Sequence, residues 1–203
     1  DFDYGFRTVR DDLEIQRITR PSANLRAVFG AGMREDRLDA PLRFNSDKRV
    51  RNGVNRAFGT LEWRASPHWL FNIGFMAEDN SLTGTSLAPR ASANYHMTEN
   101  QTLRLAINRS YRSPTAFEQK SSMIFSNSAP VVTPVMTIPA GTPISQTFRP
   151  SPGLRAERIT TYELGYLAEL RSVQASIDAR LFLERARDLI EMRLEPSTVG
   201  LIP

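Results

Sequence analysis

Cysteine is absent from this chain of 203 residues, which excludes disulfide scaffolds, zinc ribbons, iron–sulfur sites and thiol catalysis. Histidine is nearly absent, occurring only as His68 and His96 near two short turns, where structural roles are expected. No metal site is expected, no nucleophile has a convincing partner base, and no Walker loop, H-E-x-x-H or nucleophile-elbow pattern occurs. No apolar run approaches the roughly 18 residues of a membrane-spanning helix. This excludes helical membrane proteins but not transmembrane β-barrels, whose strands need only about 9 to 11 alternating residues. Lysine is scarce as well: apart from Lys48 and Lys120, all 26 basic residues are arginines, against 22 acidic residues. The net charge of +4 permits nucleic acid, anionic lipid or an anionic ligand as partner.

What the chain does have is period-two alternation, the mark of strands with one apolar face. Apolar residues keep one parity through Leu25, Ala27, Phe29, Ala31, Met33, then Ala57 to Ala65, then Trp69, Phe71, Ile73, Phe75, Ala77. The pattern returns at Leu87 to Met97, at Leu103, Leu105, Ile107, at Tyr162 to Leu170 and at Val173 to Leu183. A weaker first strand carries Val9, Leu13 and Ile15. Short turns are expected at 19–23, 66–68, 98–101 and 171–172, alternating with long links at 34–53, 79–86 and 113–154. Segment 34–53 reads as a solvated charged loop. Segment 113–154 has seven prolines, few charges and many apolar residues, so it reads as a lid or as disordered chain.

Tight turns on one rim and long loops on the other characterise outer-membrane barrels, and strands of ten or more residues exceed the usual five or six of soluble sheets. The fold expected is therefore all-β, an antiparallel up-and-down meander of about eight long strands, part of a transmembrane β-barrel. The start, Asp1-Phe2-Asp3-Tyr4, lacks an initiating Met and a signal-peptide pattern, and Leu201-Ile202-Pro203 stops abruptly, so the chain reads as a segment of a longer protein.

Four pieces resemble the barrel of TonB-dependent outer-membrane receptors: Ser86-Leu87-Ala88-Pro89-Arg90, Leu103 through Pro114, Pro152-Gly153-Leu154-Arg155-Ala156-Glu157 leading into Thr161–Tyr166, and the exit Arg187-Asp188-Leu189-Ile190. They occur in the family's order over about residues 86 to 191, whereas the first 80 residues match only in general character. The resemblance implies a barrel of about 22 strands in the bacterial outer membrane, filled by an N-terminal plug. Such a barrel takes up scarce ligands such as ferric siderophores with energy from the TonB complex. Residues 1–203 would then be a partial barrel domain, with the plug, the segment that meets TonB and the closing strands elsewhere. The partners implied are TonB, outer-membrane lipid and a small iron chelate, which is cargo and not a resident cofactor; no nucleic acid is implied. Haem receptors of the family carry a histidine between Tyr111-Arg112-Ser113-Pro114 and Ser151-Pro152-Gly153-Leu154, and none stands there.

In this barrel the apolar parity faces lipid and the polar parity faces the lumen. Arg90, Arg104, Asn108, Arg112, Glu163 and Glu169 would face inward, where charges ordinarily pair with one another or with a plug. Arg90 and Arg112, placed toward the outer rim, are the candidate ligand contacts, because an arginine fork suits a carboxylate, catecholate or phosphate. Trp63, Trp69 and Tyr95 would form an interfacial girdle. Arg109 shares the lipid parity, so it must lie near the outer interface or follow a bulge. A soluble nucleic-acid-binding β domain would put aromatics and arginines on one face, and here they separate. A passive porin remains the alternative within the membrane, and no enzymatic activity is expected.

Overall fold

The computed structural model describes residues 5–146 and 148–192; the ends that read as cut points, 1–4 and 201–203, lie outside them. The strands, in chain order, are β1 (Arg7–Ser22), β2 (Leu25–Asp39), β3 (Val50–Arg64), β4 (Trp69–Asn80), β5 (Gly84–Thr98) and β6 (Gln101–Arg112), then four short ones, β7 (Ile124–Ser126), β8 (Val131–Val132), β9 (Thr137–Ile138) and β10 (Pro143–Gln146), and finally β11 (Glu157–Leu170) and β12 (Ala175–Arg187). Helices α1 (Pro41–Phe44) and α2 (Ala116–Lys120) lie in the links. The eight long strands form one antiparallel sheet in chain order, and β7 with β10 and β8 with β9 form two separate pairs. The expected eight-strand meander is observed, and the sheet is open, with β1 and β12 as its edges.

Register joins the apolar parities into one face. Ala31, Ala57, Ala77 and Leu87 form one row across β2 to β5, and Ile107, Tyr162 and Leu183 continue the face across β6, β11 and β12. The first strand, weakest in pattern, is the longest at 16 residues. Backbone pairing does not require apolar side chains, and the charges of β1 are met on β2: Arg10 pairs with Asp36, and Asp11 with Arg37. Pro21 is tolerated because β1 is an edge strand whose register slips between Thr19 and Ser22.

The links differ from expectation for the same reason. Arg34 to Arg37 stay in β2, so the link expected at 34–53 shrinks to 40–49, and the one at 79–86 shrinks to 81–83. The turn at 19–23 moves to 23–24, and a 3₁₀ turn at Arg171–Val173 delays β12 to Ala175. Only the third link, 113–156, is long, and it is folded, not plain coil. The rims therefore keep their asymmetry mainly through 40–49 and 113–156.

At the long-link rim, α1 and α2 lie over the polar-parity side. Ala40, Phe44, Val50 and Ala116 form a buried cluster against Leu38 and Leu82. The Ser122 N–H donates to the Arg43 carbonyl (2.9 Å), and Gln119 Nε2 donates to the Leu82 carbonyl (3.1 Å). A capping box starts α2: Thr115 Oγ1 accepts from the Glu118 N–H (3.2 Å), while the Glu118 carboxylate accepts from the Thr115 N–H (2.7 Å).

Candidate functional site

The two faces of the sheet differ in chemistry and in cover. On the apolar face Ile73, Leu105 and Leu181 are 61, 55 and 72% exposed, and among the described residues no second layer packs on it. At its short-turn end, Trp63 stacks on Phe71 (5.7 Å between centroids), Phe71 on Trp69 (5.5 Å) and Trp69 meets Tyr95 (4.8 Å). The three aromatics expected in a girdle thus cluster at this end in two adjacent rows, Trp69 with Tyr95 and Trp63 with Phe71. Both histidines lie at this rim and are engaged there: His68 Nδ1 with the His96 carbonyl (2.8 Å) and His96 Nδ1 with Thr102 Oγ1 (2.9 Å).

The polar face is built from long side chains lying over glycines. Arg90 crosses Gly74 to donate to Thr60 Oγ1 (2.6 Å), because Thr60, Gly74 and Arg90 share a row. Arg56 likewise crosses Gly32 to reach Asp12 (2.9 Å) and Glu14 (3.0 Å). A Cβ on Gly74 would stand 2.8 Å from Arg90 Nε, and one on Gly32 would stand 2.9 Å from Arg56 Nε. In these rows it is the close approach of the arginine, not the backbone angle, that favours glycine. Beside Gly165, Arg104 reaches Glu163 (3.4 Å). Asn108 stands between Arg90 and Thr161 in register, and Glu169 is at the short-turn rim beside Arg171 (4.0 Å).

Arg112 is at the long-link rim, beyond the apolar band. Its Nε and Nη2 donate to the two oxygens of Glu157 (2.5 and 2.9 Å), and Nη1 and Nη2 donate to Glu118 (3.1 Å each). Glu157 also accepts from the Ile190 N–H (2.8 Å). The Arg112 hydrogen bonds, then that from Ile190, hold the Glu157 carboxyl well below the usual carboxylate range. At Glu118 burial pushes upward, but the bonds from Arg112 and Thr115 outweigh it and the net shift is down. Arg112 is thereby committed to clamping α2 and the exit of β12 onto β11.

The structure does not bring Arg90 and Arg112 together. Arg90 pairs with Asn108, two rows of the same face below Arg112, or about 13 Å along the strand. Arg90 therefore lies nearer mid-height than its sequence position suggested, and its neighbours are Thr60 and Asn108, not the clamp. Sequence reading missed the clamp, although Thr115-x-x-Glu118 is a capping-box signature visible in the chain. Arg109 lies one residue beyond the last β5–β6 pair, Arg90 with Asn108, toward the long-link rim. The arrangement offers guanidinium donors and carboxylate acceptors lining a surface, which is chemistry for binding anions and ordering water.

A family model described as TonB dependent receptor-like, beta-barrel, matches residues 1–201. Among solved structures, the chain is similar to the ferric enterobactin receptor PfeA from Pseudomonas aeruginosa, in a mutant crystallised with enterobactin (16% identity, TM-score 0.62, 89% of this chain and 27% of that one). It is also similar to the siderophore receptor PirA from Acinetobacter baumannii (15%, TM-score 0.63, 89% and 27%) and to PirA from Pseudomonas aeruginosa (17%, TM-score 0.59, 80% and 29%). At these identities the likeness is one of fold. The chain spans 27 to 29% of the length of these receptors. No curated protein sequence matches it.

Proposed function

The chain belongs to the TonB-dependent receptor β-barrel family, and from that premise we propose that it forms part of an outer-membrane receptor that takes up a ferric siderophore with energy relayed by TonB. The observation that carries the reading is the bare apolar face across eight strands, backed by a face of arginines and carboxylates. In water an apolar patch of that extent drives aggregation, whereas lipid solvates it and closure with further strands satisfies both edges. The aromatic cluster at the short-turn rim suits an interfacial girdle on the periplasmic side.

The cargo assignment is supported by the enterobactin and siderophore receptors that share the fold and by the polar-face chemistry. Arg90, held by a single neutral hydroxyl, keeps donors for an anionic chelate, and Arg104, Asn108, Glu163 and Glu169 line the path around it. Arg112 serves the lumen by ordering the outer rim. The plug and the TonB-contacting segment belong to other parts of the protein, and its work is binding and passage, not bond chemistry. The test is uptake by cells carrying the full-length gene under iron limitation, comparing labelled ferric siderophores with cobalamin, with and without TonB. TonB-dependent entry of one ferric siderophore supports the reading. Entry independent of TonB indicates a passive channel.

A further inference from the structure

The lipid-parity face is not uniform at the long-link rim. On β6, β11 and β12 it ends in two adjacent rows, Arg109–Thr160–Arg185 and Tyr111–Arg158–Arg187. Arg158 and Arg187 are directly opposite one another. With strands about 4.8 Å apart and same-face residues about 7 Å apart, four arginines issue from a patch about 10 by 7 Å. Among the described residues none of the four has a carboxylate partner; Arg185 lies over the Tyr162 ring, 5.9 Å from its centroid. The long-link end of this face on β1 to β4 differs, since it carries both signs and Arg37 there pairs with Asp11 and Glu35. Immediately below the arginines the face is apolar, with Ile107, Tyr162 and Leu183 in one row.

Like charges directly opposite on a sheet destabilise it unless an anion lies between them. An arginine fork binds phosphate with two parallel hydrogen bonds, and a ligand seated here must also accept an apolar surface one row away. We propose that this patch is a docking site for the phosphorylated headgroup of an outer-leaflet lipid, with its acyl chains on Ile107, Tyr162 and Leu183. The inference rests on the outer-membrane reading above, which sets this rim at the outer leaflet.

The experiment uses the full-length receptor that carries this chain, inserted in neutral phosphatidylcholine vesicles and then extracted in mild detergent. Retention of diphosphoryl lipid A is measured by native mass spectrometry, against its dephosphorylated form and with inorganic phosphate as competitor. Wild-type protein and Arg17→Gln, which removes an arginine from the same face near the other rim, are expected to retain the phosphorylated lipid. The double variant Arg158→Gln, Arg187→Gln is expected to bind it about tenfold more weakly, with heat-modifiable gel mobility reporting an intact barrel. Equal retention by the double variant, or no preference for the phosphorylated form, overturns the docking site while insertion upholds the membrane reading. Displacement by inorganic phosphate at equal concentration reassigns the patch to free phosphate. Failure to insert in neutral vesicles overturns both.

Discussion

Arg112 and Glu157 face each other across β6 and β11 in a two-pronged pair, 2.5 and 2.9 Å, and the same guanidinium also holds Glu118 of α2. One arginine thus ties the long link, the start of β11 and, through the Ile190 N–H on Glu157, the exit from β12. Glu157→Gln keeps the size of the acceptor but removes its charge. We expect limited proteolysis and hydrogen exchange to speed up around residues 113–123 and 187–192 while the sheet stays protected; unchanged protection there would show that the clamp holds nothing.

The same carboxylates set a pH dependence. Both Glu157 and Glu118 have folded-state values below the ordinary carboxylate range, so their contribution is present above that range and is lost as pH falls through the lowered values. Protection of 113–123 is expected to be flat near neutrality and to fall only in strong acid. In the Glu118→Gln, Glu157→Gln double variant the acid step disappears.

Glycines of the sheet differ in what surrounds them, with Gly30 on the polar face and Gly53 on the apolar parity of β3 near the long-link rim. A Cβ at Gly30 would stand 2.5 Å from the Ile15 carbonyl oxygen, a backbone atom, whereas at Gly53 nothing lies within 4 Å. Gly30→Ala is expected to destabilise the barrel by about 1–3 kcal/mol, and Gly53→Ala to change it little. Refolding into lipid, followed by gel mobility, measures both.

Parity predicts a sharp contrast between neighbours on β4. Ile73→Arg places a charge on the bare apolar face and should cost about 2–4 kcal/mol in membrane folding. Asn72→Arg, on the polar face one residue away, should cost little. Equal penalties would overturn the assignment of faces to lipid and lumen.

Arg90→Gln leaves the glycine row intact and removes the charge over Gly74. The concentration of ferric siderophore giving half-maximal uptake is expected to rise by about tenfold, with barrel stability unchanged. Uptake identical to wild type would place the ligand elsewhere on the lumen.

Strand identity and face were readable because alternation has a period of two and the apolar parity holds through the middle of β2 to β6, β11 and β12, giving way to charge only toward the long-link rim. Strand ends were not. Arg34 to Arg37 looked like loop because charge was taken for solvation, but a β-ladder is made by backbone groups, and β1 supplies partners for the charges: Arg10 stands opposite Asp36, and Asp11, diagonal to Arg37, receives its guanidinium. The site was legible as a set of inward arginines and carboxylates but not as partnerships, since Arg90 and Arg112 look equivalent in sequence and differ in what register sets beside them.

The sequence by itself determined the all-β class, the eight long strands, the parity that separates apolar from charged residues and the family resemblance of 86 to 191, because each of these is local or periodic. Only the tertiary structure decided which arginine is committed to a clamp and which lies over a glycine, and that α1 and α2 fold over one rim. It also decided that four arginines of β6, β11 and β12 share a patch without carboxylates. Those facts depend on register between residues as far apart in sequence as Gln101 and Ala168, and a side chain's partners are set by the row in which pairing places it.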